Sequence, residues 1–315
     1  MKKMVPQLHW DKDAITIKIL FKMRINMKLL LTVFLIILSN SFFAQKDNKK
    51  TYYTNYIVLD SLKNVYGDNV INKFTLNTKE LYGFDKSVEI YNVLYNNAVL
   101  LISALPDIKG NENWIKIDIN AIKKDILTRP QLKEFIMERY LNNISEKKTL
   151  KYGLVKKIDG EYYVPKMTLI EYFYIKSYKF PFIPAYGTID INGPIVTIKE
   201  MEKSYREQIP DRGFPLSPYE TDYSFSFPIY ARNYLSKIYT LNGNNAYQFW
   251  TLDNYRTADY YSTYRGIDRF IYIPEKGIIG GSYDFYFSFN SSSELAKKIK
   301  ENIINEKVMI AEELK

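Results

Sequence analysis

The chain has no cysteine and a single histidine, His9. Without cysteine it can form no disulfide and has no thiolate to serve as a nucleophile or a metal ligand. Export would remove His9, as argued below, and would leave a chain without histidine metal sites, haem held by histidine or cysteine, or triads with a histidine base. We therefore predict no metal site and no cofactor. The fold must be held by its core alone, which about 270 residues can supply.

An apolar run at residues 29–38 is flanked by the features of an export signal. Arg24 and Lys28 precede it, and small and polar residues follow it up to Ala44. The run is shorter than the roughly 17–25 residues of a membrane-spanning helix, so the order of regions favours a secretory signal peptide over an anchor. We predict cleavage after Ala44, although Phe42 stands where a small residue is expected. The protein is then exported to the periplasm or the cell exterior, and residues 45–315 do not span the membrane.

The start of the chain and its charge depend on that signal. The signal is complete when translation begins at Met23 or Met27, so residues 1–22 read as upstream sequence; a start at Met1 could instead leave an N-terminal anchor. Residues 1–44 hold seven basic and two acidic residues, so the net charge of +9 falls to +4 for the rest. Because no concentrated basic stretch remains, we predict no nucleic-acid partner. The abundance of Tyr, Asn, Ile and Lys is typical of an AT-rich bacterium.

The first half of the exported chain favours helices. Apolar residues recur at helical spacing between Tyr56 and Tyr66, and a capping box at Thr128 opens an amphipathic helix. The apolar run at residues 88–105 fits either a helix or two strands, because a continuous run has no period of its own. Alternation at residues 115–119 predicts a strand.

The second half favours antiparallel hairpins. Turn residues that tolerate positive φ separate pairs of strand-like runs at four places, namely residues 159–160, 192–193, 242–245 and 274–277. In the last hairpin the second strand would run over residues 278–289 and present an aromatic face. A capping box at Ser291 then opens a C-terminal amphipathic helix with Leu295 and Ile299 on one face.

Together these patterns predict an α+β fold. A helical N-terminal part comes first, an antiparallel sheet of hairpins follows, and a C-terminal amphipathic helix closes the chain. Residues 45–315 form a single domain in this interpretation. A subdivision near residue 147 is the alternative.

One acidic pair could carry catalysis. Glu220 and Asp222 are two residues apart, so an extended backbone would place both carboxyl groups on one face, about 6.6 Å apart in rise. Paired carboxylates are the groups that hydrolyse glycosidic bonds. The simpler interpretation is a solvated strand edge, because acidic pairs are common on protein surfaces.

The strongest functional signal is an aromatic stretch with charges of both signs. Tyr219 to Phe289 holds 21 aromatic residues in 71, against 16% in the whole chain. Within it, residues 250–269 have no apolar period and read as a long loop; we call them the Tyr/Arg segment. Tyrosine and arginine dominate recognition surfaces, and rings also stack on sugars. The candidate binding residues are Trp250, Arg256, Asp259, Tyr260, Tyr261, Tyr264, Arg265 and Arg269.

The alternative for the Tyr/Arg segment is that its arginines pair with nearby aspartates while its tyrosines cover the sheet. Taken together, the composition and the missing motifs predict a non-enzymatic binding or structural protein of the cell envelope or exterior, with a glycan or an envelope protein as its partner. The competing hypothesis is a polysaccharide hydrolase that uses paired carboxylates.

Overall fold

Strands dominate the computed structural model, which describes residues 53–65, 70–95, 97–110, 112–142, 148–175, 188–208, 210, 214, 232–252, 257–259, 262–263, 265–288 and 293–315. These residues contain seventeen strands and six α-helices, most of the helices being short. All of them belong to one unit, Tyr53–Lys315. The predicted signal peptide and its cleavage site lie outside the described residues.

The strands are β1 (Asn55–Val58), β2 (Ile71–Asn77), β3 (Ser87–Tyr95), β4 (Ala98–Leu105), β5 (Trp114–Ile117), β6 (Lys148–Thr149), β7 (Tyr152–Ile158), β8 (Glu161–Pro165), β9 (Met167–Ile175), β10 (Thr188–Ile189), β11 (Arg232–Leu241), β12 (Asn244–Leu252), β13 (Thr257–Asp259), β14 (Ser262–Thr263), β15 (Arg269–Ile273), β16 (Gly277–Gly281) and β17 (Met309–Ile310). The α-helices are α1 (Lys79–Tyr82), α2 (Ile119–Ile122), α3 (Arg129–Asn142), α4 (Ile198–Gln208), α5 (Asp284–Ser288) and α6 (Ser293–Ile304), and three 3-10 turns span Leu59–Asn64, Lys123–Asp125 and Glu312–Leu314.

The strands form three sheets. Sheet I has the order β1-β7-β8-β5, and sheet III has the order β11-β12-β15-β16-β17. Sheet II is the largest, with the order β13-β14-β6-β9-β4-β3-β2 and β10 paired to β9. Nearly all pairs are antiparallel; β1 with β7 and β10 with β9 are parallel.

Sheet II is the middle layer, and strand β4 shows why. All eight residues of β4 are buried. Val99, Leu101 and Leu105 enter the core shared with sheet III, while Leu100 and Ile102 enter the core shared with helix α3. A strand covered on both faces reads as a continuous apolar run. The open choice for residues 88–105 is thereby decided: they form the two strands β3 and β4.

Sheets II and III are joined by polar side chains as well as by their apolar core. The amide of Asn92 on β3 donates to the carbonyl of Ile278 over 2.8 Å and accepts from its N–H over 2.7 Å. A backbone bridge also links Leu76 of β2 to Ala311, directly after β17. Gly277 follows the tight turn with a φ of 86°, and an added Cβ would lie 2.6 Å from the Asn92 oxygen. These contacts fix the position of sheet III relative to sheet II.

The predicted α+β fold with a helical N-terminal part is wrong, because the described chain is mostly sheet. The residues after Tyr56 form the end of β1 and a 3-10 turn instead of an amphipathic helix. Tyr56 and Ile57 are both buried because β1 is covered on its two faces, so the helical spacing of their neighbours had no bearing on the fold. Helix α3 is the one long helix described before residue 145.

Two of the predicted hairpins also need correction. The run at residues 195–199 enters helix α4, because Thr197 and Glu200 form a capping box in which the Thr197 N–H donates to Glu200 Oε2 over 2.8 Å. In the last hairpin the second strand ends at Gly281, and Asp284–Ser288 is helical. The aromatic residues of this short helix are buried on every side of it, whereas the prediction placed them on one face of a strand.

Several local predictions are confirmed. The Asp159-Gly160 turn joins β7 to β8 with φ values of 49° and 87°, and Asn242-Gly243 joins β11 to β12 in the same way. The Thr128 N–H donates to Gln131 Oε1 over 2.9 Å at the start of α3. The C-terminal helix is α6, and it buries Leu295, Ile299 and Ile303.

Candidate functional site

The predicted site residues of the Tyr/Arg segment fall into two groups. Trp250, Arg265 and Arg269 are described with their side chains, and Asp259 as a backbone position in β13. Outside the described residues lie Arg256, Tyr260, Tyr261 and Tyr264, together with the acidic pair Glu220 and Asp222. The roles given to this second group stay predictions.

The Tyr/Arg segment leaves sheet III, joins sheet II and returns to sheet III. At its base Trp250 of β12 lies opposite Arg269 of β15. Between them, Ser262 of β14 lies opposite Thr149 of β6, and β13 pairs with β14. The segment is therefore held by backbone pairing to two different sheets.

A buried charge cluster lies where the segment returns to sheet III. Its six members are all at most 7% exposed and comprise three cations and three carboxylates, namely Lys148, Glu171, Arg265, Asp268, Arg269 and Asp284. Buried charges are costly unless they are paired and hydrogen-bonded. The contacts of each member therefore decide what the cluster can do.

Arg265 and Asp268 form the first pair. The Arg265 Nε donates to Asp268 Oδ1, and the other oxygen of Asp268 accepts the N–H of Asp284 over 2.6 Å. The Thr251 N–H donates to the Asp268 carbonyl over 2.7 Å, and the Asp268 N–H donates to the Ser282 carbonyl over 2.8 Å. Asp268 thus ties the segment to β12, to the residue after β16 and to the start of α5.

Arg269 and Asp284 form the second pair, with two hydrogen bonds. The Arg269 Nη1 donates to Asp284 Oδ2 over 2.6 Å, and its Nη2 donates to Oδ1 over 3.3 Å. The Arg269 Nε donates to the Lys307 carbonyl over 3.0 Å, and the Tyr82 hydroxyl donates to Asp284 Oδ1 over 2.9 Å. Burial opposes the positive charge of Arg269, but Asp284 outweighs it and raises the pKa of the guanidinium above its usual value.

Glu171 joins the cluster from sheet II. It stands on β9 between Leu169 and Phe173, on the face toward sheet III, and is 2% exposed. Both of its oxygens lie near the Ile267 N–H, at 3.2 Å and 3.1 Å. A Cβ added to Gly266 would lie 2.0 Å from Glu171 Oε1, so any larger residue would displace the buried Glu171 carboxyl.

Burial raises the pKa of two carboxyl groups next to Ile267, those of Glu171 and Asp268. Burial raises the pKa of Glu171 from 4.5 to about 7, against the attraction of Lys148, while Asp268 raises it further. Burial also raises the pKa of Asp268 from 3.8 to about 6, against Arg265, and Asp284 adds to the rise. Both groups therefore hold their protons more tightly in the folded protein than in the unfolded chain.

The space beside the buried charge cluster is small. A cavity of about 10 Å³ lies between Trp250, Arg265, Asp268 and Arg269, with Ile198 and Ile303 from the neighbouring helices. That volume holds about one water molecule. The cluster is therefore too closely packed to accept a sugar or a peptide between its own side chains.

Trp250 is turned into the core. Its ring stacks on Tyr234 at 5.3 Å between centroids, and its indole nitrogen donates to the Val196 carbonyl over 3.3 Å. It is 4% exposed. In this position it packs the base of the Tyr/Arg segment against helix α4 and strand β11.

The sequence interpretation missed three members of the cluster, namely Lys148, Glu171 and Asp284. One signal could have found Glu171, since it is the single charged residue within the apolar strand β9. Asp284 carries no such signal, because it stands in an aromatic run that alternated like a strand. Its partners Arg269 and Tyr82 are 15 and 202 residues away in sequence.

A second charged group fixes sheet I to sheet II. Glu89 of β3 pairs with Lys156 of β7 at 2.9 Å and with Lys73 of β2 at 3.1 Å. It also accepts from Tyr91 and from the Trp114 indole, and Lys156 lies 3.7 Å from the centre of that ring. Although burial opposes the shift, these hydrogen bonds and cations lower the pKa of Glu89 from 4.5 to about 2. This group joins strands β2 and β3 of sheet II to strand β7 of sheet I.

Among the described residues, no three His, Cys, Asp or Glu side chains are grouped so that they could hold a metal ion. The helices in the same part of the chain are all too short or too polar to cross a bilayer. Comparisons with protein-family models, with curated proteins and with solved structures found no match for this chain. The function has to be argued from the Tyr/Arg segment and the cluster that holds it.

Proposed function

We propose that this chain is an exported, non-enzymatic protein of the cell envelope or exterior, and that its Tyr/Arg segment binds a glycan or an envelope protein. The observation that supports this most is the fixed base of the segment. Strands β12 and β15 carry its two ends, and the buried charge cluster ties it to both sheets.

A fixed base favours recognition because it reduces the cost of binding. A loop that is ordered before it meets its partner loses less conformational entropy on association. Buried ion pairs contribute little net stability compared with apolar residues of similar size, so a plausible reason to keep them is the geometry they impose. Here that geometry is the placement of residues 257–259, 262–263 and 265–268 between the two sheets.

The structure also sharpens which residues should be tested. Arg265 and Arg269 are buried and paired with Asp268 and Asp284, so replacing them would disturb the base of the segment. The proposed contacts with the partner therefore fall to Arg256, Tyr260 and Tyr261, which the sequence interpretation also named. Rings and guanidinium groups at neighbouring positions offer both stacking and hydrogen bonds to a sugar.

The test is a binding measurement on the triple variant R256A/Y260A/Y261A. We expect the full chain to bind one or more oligosaccharides released from bacterial envelope polysaccharide, and we expect the variant to bind at least about tenfold more weakly. Its thermal midpoint should stay within about 2 °C of the unmodified chain, because the buried base is untouched.

The matched control removes an exposed cation and a half-buried tyrosine on a different hairpin. Lys157 and Tyr162 form such a pair on the β7–β8 hairpin, with the ammonium 5.6 Å from the ring centre. The K157A/Y162A variant should keep full binding. Equal binding by the triple variant and the unmodified chain would refute the proposal.

The hydrolase hypothesis rests on Glu220 and Asp222 and stays a prediction. It differs from the binding proposal in one observable, since a hydrolase shortens the oligosaccharide. A loss of cleavage in E220Q/D222N, with binding unchanged, would favour it.

A further inference from the structure

Residues 265–268 are clamped between sheets II and III. On one side the carboxylate of Glu171 faces the Ile267 N–H, and the backbone of Gly266 lies directly against that carboxylate. On the other side Ile267 packs on the backbone of β16, where a Cβ added to Gly281 would lie 2.3 Å from Ile267 Cδ1. This stretch can leave its place only by separating Ile267 from Glu171.

The charged surroundings of Glu171 come from three elements. Lys148 on β6 attracts the ionised carboxylate, whereas Asp268 on the clamped stretch repels it. Burial, together with the charges of Glu171 and Asp268, raises the pKa of Tyr283, just before α5, whose hydroxyl bonds to Ser103 over 2.7 Å. Around Asp268 the further charges are Arg265, Arg269 and Asp284. Glu171 thus has one cation and one carboxylate as its charged neighbours.

We propose that residues 265–268 form a proton-dependent latch, which stays docked while Glu171 is protonated and opens more readily once Glu171 is ionised. The physical reason is hydration. An ionised carboxylate at a site that is 2% exposed has lost its water and recovers it only when the latch opens. Lys148 and the Ile267 N–H offset part of that loss, and Asp268 adds to it.

The pH range of the latch follows from the acidity of Glu171. Its pKa is about 7 when buried and 4.5 when free in solution. The docked state therefore holds the proton more tightly, and docking weakens as the pH rises from 4.5 through about 7. Asp268 acts in the same direction between 3.8 and about 6.

The scarcity of histidine makes proton binding by Glu171 easy to observe in this pH range. Histidine is the side chain that ordinarily titrates between pH 5 and 8, and His9 is the single one present. The H9Q substitution removes it. In that background, Glu171 and Asp268 are the side chains that we expect to change charge across the range.

The experiment is hydrogen exchange, read by mass spectrometry, on the full chain carrying H9Q between pH 5 and 8. After correction for the intrinsic exchange rate, we expect the protection of amides 265–271 to fall about tenfold or more between pH 5 and 7 and to level off above pH 7. Amides of helix α3 report global unfolding and serve as the internal reference, so their protection should stay above that of amides 265–271 at every pH.

Three variants separate the latch from general loss of stability. E171Q should flatten the pH dependence, whereas E134Q, a change at an exposed site on α3, should leave it as in the parent. K148Q removes the cation that favours ionised Glu171, so the fall should move to higher pH. Constant protection across the range in the H9Q chain would overturn the proposal, as would a parent-like fall in E171Q or an unmoved fall in K148Q.

Discussion

Replacing Asp284 by alanine is expected to lower the free energy of unfolding by about 3–5 kcal/mol. The substitution leaves Arg269 charged and buried without its carboxylate, and it removes the acceptor of the Tyr82 hydroxyl. Urea unfolding of the full chain, followed by tryptophan fluorescence, measures the change. D60A is the matched control, because the Asp60–Lys63 pair has a similar N–O distance of 2.9 Å but is largely exposed. That control should cost less than about 1 kcal/mol.

A double variant shows whether the loss comes from an unpaired charge. R269M/D284L removes both charges and keeps apolar bulk in the core, so it should be more stable than either D284A or R269M alone. If D284A costs no more than D60A, the pair does not hold the base of the Tyr/Arg segment. That result would contradict the assignment of Arg269 and Asp284 to a structural role.

The second large effect is expected at Gly266. The G266A variant places a methyl group 2.0 Å from Glu171 Oε1 and 2.5 Å from its Cδ, within a closely packed interface. We expect a loss of about 2–4 kcal/mol, because the Glu171 carboxyl would have to turn away from the Ile267 N–H within a buried interface. G243A is the comparison, since its methyl group meets nothing within 4 Å and its cost comes from a positive φ of 77°. That cost should be about 1 kcal/mol.

A double-mutant cycle tests whether the loss of stability in G266A comes from contact with Glu171. Removing the Glu171 side chain makes room for the methyl group, so E171A/G266A should be more stable than the sum of the single losses predicts, by about 1–3 kcal/mol. Additive losses would mean that the two residues do not touch. That result would contradict the close packing of Gly266 against Glu171 of sheet II.

The sequence correctly predicted those elements that are determined by residues close together in the chain. The Asp159-Gly160 and Asn242-Gly243 turns depend on positive φ at two adjacent residues, and both hairpins are present. The capping box at Thr128 likewise begins a helix. In these places the physical cause lies within four residues, where a sequence pattern can reveal it.

Predictions failed or stayed open where distant contacts decide the structure. Strand β4 reads as a helix or a strand because both of its faces are covered by other layers. Residues 284–288 are helical although they alternate. The Asp284 carboxylate accepts from Arg269 and Tyr82, and the Asp284 N–H donates to the Asp268 carboxylate. No spacing within one stretch of chain encodes such contacts.

The candidate site also combines a local contact, which the sequence predicted, with distant contacts, which it did not. The ion pairing weighed as an alternative for the Tyr/Arg segment is present for Arg265, whose partner Asp268 is three residues away. The partner of Arg269 is Asp284, on an element predicted to be a strand. Glu171 belongs to a different sheet, and only the folded chain brings it to Ile267.

A buried, charged interface between sheets II and III holds the Tyr/Arg segment, and the pH dependence of stability tests this claim most directly. Urea unfolding of the H9Q chain should show the free energy of unfolding falling by about 1–3 kcal/mol from pH 5 to pH 7.5. The sign follows from the raised pKa values of Glu171 and Asp268, about 7 and about 6. A free energy of unfolding that stays constant or increases over that range would contradict it.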